Sequence, residues 1–150
     1  MTDVEYMQEA IAEAKKAAEI GEVPVGAVIV KGGEIIARAY NERETGKDAT
    51  RHAEIIAIEK ACKALGGWRL IGCDMYVTLE PCPMCAGAIV NARVVRVVYG
   101  ARDLRAGAFG SVLNLNEYPL NHKTEIVGGV LEDECLAPIR DFFKKKRTSE

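Results

Sequence analysis

Strand-like and helix-like stretches alternate along most of the chain after an initial hairpin, and this order constrains the fold more than any other feature. The predicted hairpin comprises residues 25–30 and 34–40, joined by a Lys31-Gly32-Gly33 turn whose glycines permit positive φ. Strands that alternate with helices favour parallel pairing beside the antiparallel hairpin. The order therefore predicts a three-layer α/β/α fold, with a mixed central sheet of about five strands.

The remaining elements follow from apolar periodicity and from helix start and stop signals. Thr2 and Glu5 form a capping-box pattern at the start of a first helix, which should end at Gly21. Pro138 is expected to break or kink the last helix, because proline has no backbone N–H and its ring clashes with the preceding turn. Further helices are predicted for residues 52–65, 83–92 and 131–147, strands for 75–79, 94–99 and 124–127, and irregular structure for 41–51 and 101–121.

The composition is typical of a compact protein with one core. The 150 residues include 20 basic and 22 acidic side chains, and 49% of them are hydrophobic. We therefore expect a single domain over residues 1–150. No apolar run approaches the roughly 20 residues that cross a bilayer, and the first residues lack a signal-peptide pattern, so we expect no membrane association and a cytoplasmic location.

Two short motifs contain the candidate metal ligands. They are HAE at residues 52–54 and PCPMC at residues 81–85. Cys82 and Cys85 at the start of one helix can present both sulfurs on the same side, and His52 at the start of another helix can complete a three-ligand set. Such a set leaves one tetrahedral position open on Zn²⁺, which lowers the pKa of a bound water from about 15.7 to about 7 and so forms hydroxide at neutral pH.

Glu54 is the candidate general acid/base, since it lies two residues from His52 and could carry a proton from that water. A lone Cys-x-x-Cys pair could instead be a redox pair, or half of a structural four-cysteine site. The other cysteines, Cys62, Cys73 and Cys135, form no second closely spaced pair, and neither alternative uses His52 or Glu54. The motifs together therefore favour a catalytic metal centre.

Simpler interpretations apply to three aromatic residues, to one histidine and to the basic end of the chain. Trp68 and Phe142 are predicted to pack in the core, whereas Phe143 beside the basic end could stack on a base. His122 is predicted to have a hydrogen-bonded structural role. The basic run at residues 144–147 could contact a polyanion, or could be a solvated helix end that the helix dipole favours.

The two motifs and their spacing resemble the zinc deaminase signature of the cytidine deaminase superfamily. Further segments resemble bacterial tRNA-specific adenosine deaminases, and the resemblance extends from about residue 4 to residue 147. These segments are EVPVGAV at 22–28, Asn41, YVTLEPCPMCAGAI at 76–89, RVVYGARD at 96–103, GAFGS at 107–111, the Asn121-His122 pair and DFFKKKR at 141–147.

The resemblance implies a cytidine deaminase-like fold and the hydrolytic deamination of adenosine to inosine at the wobble position of a tRNA anticodon, with an arginine tRNA as the expected substrate. It implies one Zn²⁺ per subunit, held by His52, Cys82 and Cys85, with Glu54 as the proton shuttle. It also implies a homodimer that binds the tRNA anticodon stem-loop and uses no nucleotide cofactor.

The same resemblance implies a set of substrate contacts. Asn41 corresponds to a side chain that hydrogen-bonds the purine, and Glu22 and Val23 correspond to the rim of the pocket. The remaining implied RNA contacts are Arg102 and Asp103 in the loop beside the flipped anticodon nucleotides, and Phe143, Lys146 and Arg147 on the last helix.

Two other functions fit part of the sequence. A free-base guanine or cytosine deaminase of the same fold would share the zinc ligands and Glu54, but it needs a small closed pocket and has no use for a basic terminal helix. A catalytically idle RNA-binding or zinc-stabilised module would have no need for Glu54. The sequence therefore favours a tRNA adenosine deaminase over both.

Overall fold

The computed structural model describes residues 1–148, and their helices and strands follow the order that the sequence predicts. The helices are α1 (Asp3–Glu19), α2 (Ala53–Leu65), α3 (Pro83–Asn91) and α4 (Glu132–Thr148). The strands are β1 (Gly26–Lys31), β2 (Glu34–Tyr40), β3 (Cys73–Leu79), β4 (Arg96–Ala101) and β5 (Glu125–Val127). A short 3-10 turn, Leu115–Glu117, lies in the long segment before β5.

The five strands form one mixed sheet in the order β2-β1-β3-β4-β5. β1 pairs antiparallel with β2 and β3, whereas β3, β4 and β5 are parallel to one another. The start of β1 and the ends of β2, β3 and β4 therefore meet at the same edge of the sheet. Ligand sites of open α/β sheets collect at such an edge.

Helices cover both faces of this sheet. Alternate strand residues point to opposite faces: Ile29 and Met75 pack with α2 and α3, while Val28 and Tyr76 pack with α1 and α4. The two hydrophobic cores confirm the predicted three-layer α/β/α fold. None of the helices within residues 1–148 combines the length and hydrophobicity that a membrane span requires.

Gly100 lets α4 approach the sheet closely. A Cβ atom at this position of β4 would overlap the Cys135 side chain, which is 1% exposed in the first turns of α4. The contact seats the beginning of α4 beside the end of β4. The rest of the helix therefore extends along the edge at which β2, β3 and β4 end.

Several predicted details are confirmed at the level of individual contacts. The capping box is present, with Glu5 N–H donating to the Thr2 hydroxyl at 3.2 Å and Thr2 N–H donating to the Glu5 carboxylate at 3.1 Å. The chain leaves α1 through Gly21, whose φ is +79°. His122 has the predicted structural role, since its Nε2 lies 2.7 Å from the Val94 carbonyl oxygen.

The structure differs from the predictions at three residues. The last helix continues through Pro138 without a break, because the hydrogen bond that proline removes would reach the carbonyl of Glu134, an exposed residue where water can take its place. Phe142 is half-buried and belongs to neither hydrophobic core, and Trp68 is not in the core but is 56% exposed. The guanidinium carbons of Arg69 and Arg93 lie 4.5 and 5.8 Å from its ring centre, so cations cover part of the ring.

Candidate active site

The candidate site lies at the edge of the sheet where β2, β3 and β4 end. Asn41 follows β2, Glu80 follows β3 and Arg102 follows β4, and all three line one cleft of about 940 Å³. His52 and Cys82, at the starts of α2 and α3, line its floor. The fold thus gathers side chains from distant parts of the chain into one concave surface.

His52, Cys82 and Cys85 are brought together as the sequence predicts. The His52 Nδ1 atom lies 3.7 Å from the Cys82 sulfur and 3.5 Å from the Cys85 sulfur, and all three ligand atoms lie within 4.8 Å of one another. Zinc bonds of about 2.3 Å to sulfur and about 2.05 Å to nitrogen give a tetrahedron whose sulfur–nitrogen edge is about 3.6 Å. The three side chains therefore fit a tetrahedral metal ion with one open position.

Two of the metal ligands lie at the N-cap positions of helices, but their side chains do not cap those helices. His52 and Cys82 are the N-cap residues of α2 and α3, but neither side chain makes a capping hydrogen bond. The Asn41 Oδ1 atom instead accepts a 2.8 Å hydrogen bond from the Ala53 N–H at the start of α2. The imidazole is thereby left to face the two sulfurs.

The two cysteines have pKa values shifted in opposite directions. Hydrogen bonds from Cys85 and from the His52 ring lower the pKa of Cys82 to about 4, despite partial burial. The neighbouring Cys82 sulfur and burial raise the pKa of Cys85. The hydrogen bond with Cys82 in turn raises the pKa of His52. The cluster by itself therefore favours a thiolate on Cys82 beside a protonated His52, and metal binding requires that His52 and Cys85 give up their protons.

Glu54 lies on the first turn of α2 and is only 4% exposed. Burial raises its pKa to about 7, although its own backbone N–H and the charge of His52 oppose this shift. Its side chain also hydrogen-bonds Cys85. Glu54 therefore faces the metal-ligand cluster from the cleft, and its catalytic role stays a prediction.

One face of α4 forms the outer wall of the cleft. Its lining residues recur at helical spacing: Leu136, Ile139, Arg140, Phe143, Lys144 and Arg147. The opposite wall comes from residues 102–106, which also line the cleft. Six lining side chains are cationic, namely Arg43, Arg102, Arg105, Arg140, Lys144 and Arg147. The mouth of the cleft therefore attracts a polyanion.

Most of the predicted substrate contacts lie in the cleft, but two do not. Val23, Asn41, Arg102, Asp103, Phe143 and Arg147 line it, and Phe143 is 42% exposed. Glu22 is 1% exposed and lies behind the rim, where its carboxylate accepts hydrogen bonds from the N–H groups of Glu44 and Thr45. It therefore positions the loop that leads to His52.

Lys146 is also directed away from the cleft. It borders a second groove between α1 and α4, and its Nζ lies 5.8 Å from the centre of the Phe142 ring. Lys146 thus belongs to the face of α4 that carries Pro138 and Phe142, and not to the face that carries Phe143 and Arg147. The structure places Lys144 at the cleft instead.

Sequence reasoning missed three residues that now stand out in the cleft: Arg43, Glu80 and Arg140. Helical spacing from Phe143 would have found Arg140. Glu80 follows a predicted strand directly, and such positions point to a site at a sheet edge. Arg43 lies in an irregular loop, and no sequence pattern predicts that its side chain borders the cleft.

Comparisons with known proteins agree that the chain is similar to deaminases. Residues 1–147 match the MafB19-like deaminase family. The tRNA-specific adenosine deaminase of Bacillus subtilis (strain 168) is 58% identical over 143 residues, which cover 95% of this chain and 89% of that protein.

Solved structures show the same likeness. A structure from studies of A-to-I editing by tRNA:A34 deaminases at the wobble position of transfer RNA has a TM-score of 0.87 and 45% identity, covering 89% of this chain and 98% of its own. Guanine deaminase from Bacillus subtilis has a TM-score of 0.66 and 32% identity, covering 96% of this chain and 95% of its own.

Replacing one sulfur ligand should release the metal. We expect Cys82→Ala to lose bound metal, because a histidine and a single thiolate leave the ion with two protein ligands instead of three. The measurement is metal content per protein by atomic absorption after dialysis. Cys62→Ala is the matched control, since Cys62 lies outside the cluster and should keep full occupancy. Full occupancy in Cys82→Ala would contradict the proposed ligand set.

Proposed function

This chain belongs to the deaminase family that includes the tRNA-specific adenosine deaminases, and on that premise we propose that it converts adenosine to inosine at the wobble position of a tRNA anticodon. The observation that carries the proposal is an open cationic cleft with a three-ligand metal cluster and a buried Glu54 at its floor. An arginine tRNA is the proposed substrate.

Zinc is the proposed metal. Two thiolates and one imidazole form a ligand set that suits Zn²⁺ in tetrahedral geometry, and the nitrogen–sulfur distances fit its bond lengths. Bound there, Zn²⁺ would make water nucleophilic enough to attack the purine carbon that bears the amino group. We propose one ion per subunit, held by His52, Cys82 and Cys85.

Glu54 is the proposed proton carrier. Its carboxyl group is buried in the cleft floor, two residues from His52 and in hydrogen-bond contact with Cys85. From this position it can carry one proton of the attacking water to the ring nitrogen of adenine, and then the second proton of that water to the amino group, which leaves as ammonia. Water and adenosine then become inosine and ammonia, which balances the reaction.

Asn41 is the proposed reader of the purine ring. Its Oδ1 atom is engaged by the Ala53 N–H, and within residues 1–148 no acceptor pairs with its amide nitrogen. That nitrogen is therefore available to donate to a ring nitrogen of a base in the cleft. Because Asn41 also caps α2, the hydrogen bond would set the base at a defined position relative to His52.

The shape and charge of the cleft favour RNA over a free base. A volume of about 940 Å³ reaches the upper end of small-molecule sites, and its cations are arranged along a helix and a loop, as phosphate contacts require. Extruding a base costs a few kcal/mol, and least in a loop that is already single-stranded. An anticodon loop meets this condition, whereas a free base would use neither the volume nor the cations.

We also propose that residues 1–150 form a single deaminase domain that works as a cytoplasmic homodimer. The last two residues lie outside the part that the structure describes. Support for the dimer comes from exposed apolar side chains on α3 and on the segment that packs against it: Met84, Val112, Tyr118 and Leu120.

A direct assay tests the proposed substrate. The purified protein is incubated separately with an unmodified arginine tRNA anticodon stem-loop, free adenosine, guanine and cytosine. We expect inosine at the wobble position of the stem-loop, and no ammonia from guanine or cytosine. A stem-loop with guanosine at the wobble position is the matched control and should not react. Ammonia from guanine alone would overturn the proposed function in favour of a free-base deaminase.

Removing the carboxylate should abolish catalysis without removing the metal. We expect Glu54→Gln to keep its fold and metal content but to slow deamination of the stem-loop by about 100-fold or more, the usual contribution of a general acid/base. Single-turnover rates and metal content are measured together. Glu59→Gln is the control on the same helix, because its side chain is 51% exposed. Near-normal turnover in Glu54→Gln would exclude the proposed proton carrier.

Two neighbouring lysines on α4 should differ in RNA binding. We expect Lys144→Ala to weaken stem-loop binding and to reduce the slope of log Kd against log salt by about 1, as loss of one phosphate contact does. Lys146→Ala should change neither quantity, because Lys146 borders the second groove. Fluorescence anisotropy over a salt series measures both. Equal effects of the two substitutions would show that the cleft face of α4 is not the RNA surface.

A further inference from the structure

Glu80 is a buried acidic residue in the cleft for which neither the metal cluster nor the proton transfer provides a role. It follows β3 directly and lies two residues before Cys82. It is 2% exposed and borders the cleft. Burying a carboxylate is costly unless hydrogen bonds satisfy it, so its partners indicate what it does.

Four donors of the segment 103–111 converge on this carboxylate. Oε1 accepts hydrogen bonds from the Asp103 N–H at 3.2 Å and from the Ser111 hydroxyl. Oε2 accepts from the N–H groups of Phe109 at 3.1 Å and of Ser111 at 3.2 Å. A carboxylate only accepts hydrogen bonds, so it can satisfy all four donors at once, which a neutral amide cannot.

Further contacts fasten the same segment to the chain around Glu80. The Ala108 N–H donates to the Pro81 carbonyl at 2.9 Å. Gly107 packs directly on the carboxylate, where a Cβ atom would overlap the Glu80 carboxyl carbon. The segment 102–111 is thus attached to the residues that immediately precede Cys82.

This attachment positions one wall of the cleft. Residues 102–106 line the cleft, and the turn they form is closed by the Asp103 side chain, which accepts hydrogen bonds from the N–H groups of Arg105 and Ala106 at 3.0 and 3.1 Å. Outside these bonds the segment is irregular. Its position relative to the metal ligands therefore depends on Glu80.

We propose that Glu80 is a positioning residue that holds the wall formed by residues 102–106 at a defined distance from Cys82, and thereby determines how tightly the RNA beside the target nucleotide is bound. The proposal rests on the proposed function, because RNA is the ligand that this wall would contact. It assigns Glu80 to substrate binding and not to the chemical step.

The test is Glu80→Gln in the full chain, assayed on the anticodon stem-loop. In either orientation the amide would place its NH₂ group against at least one backbone N–H donor, so the attachment of the wall should weaken. We expect KM for the stem-loop to rise about 10-fold while kcat stays within about 3-fold, the pattern of lost ground-state binding. Metal content should not change. Glu117→Gln, an exposed glutamate on the adjoining 3-10 turn, is the control and should leave KM unchanged.

Amide hydrogen exchange provides a readout that does not depend on activity. Glu80→Gln should speed exchange at Asp103, Phe109 and Ser111, while exchange in β3 and β4 stays at the wild-type rate. Ser111→Ala is the second variant if Glu80→Gln fails to fold. It removes one donor and keeps the carboxylate, so KM should rise about 3-fold with kcat unchanged.

The outcomes separate this proposal from the proposed function. An unchanged KM in Glu80→Gln, or in Ser111→Ala where the first variant does not fold, overturns the role of Glu80. Loss of metal also overturns this role, and so does a fall in kcat as large as the rise in KM. In either case Glu80 would support the metal cluster and not the wall. If the wild-type protein does not deaminate the stem-loop, the proposed function fails, whereas the exchange rates still decide whether Glu80 holds the wall.

Discussion

The rest of the site depends on one arrangement: the N-termini of α2 and α3 meet at the same point. α2 begins at the end of a loop and α3 begins at the end of β3, and their N-cap residues are His52 and Cys82. The dipole of each helix favours negative charge at this point, which stabilises the thiolate form of Cys82. Because the sheet holds both helices on the same face, the ligands are brought together by the packing of the core.

The floor of the cleft and the helix that forms its outer wall come from opposite faces of the sheet. α2 and α3 provide the metal ligands and Glu54, whereas α4 approaches from the opposite face through the contact between Gly100 and Cys135. The overall charge of the chain is −2, yet six cations line the cleft. Local placement, and not net charge, therefore decides which ligand this surface attracts.

The sequence predicts the fold and the metal cluster well, because both depend on local patterns. Apolar periodicity locates the elements, and the Cys82-x-x-Cys85 spacing places two sulfurs on one turn of a helix. Long-range contacts are not visible in such patterns. The partners of Glu80 lie 23 to 31 residues away in an irregular segment, and the guanidinium that covers the exposed Trp68 ring beside Arg69 belongs to Arg93, which is distant in sequence.

Under the proposed function, the Asn41 side chain has two tasks, and this limits how the protein can change. One end of the amide caps α2, and the other end faces the cleft. A substitution that removes the Oδ1 atom would release the start of the helix next to His52 as well as the proposed contact with the base. Selectivity for the base cannot drift freely at this position, so divergence toward other nucleobases must begin elsewhere, in the loops and helix that surround the cleft.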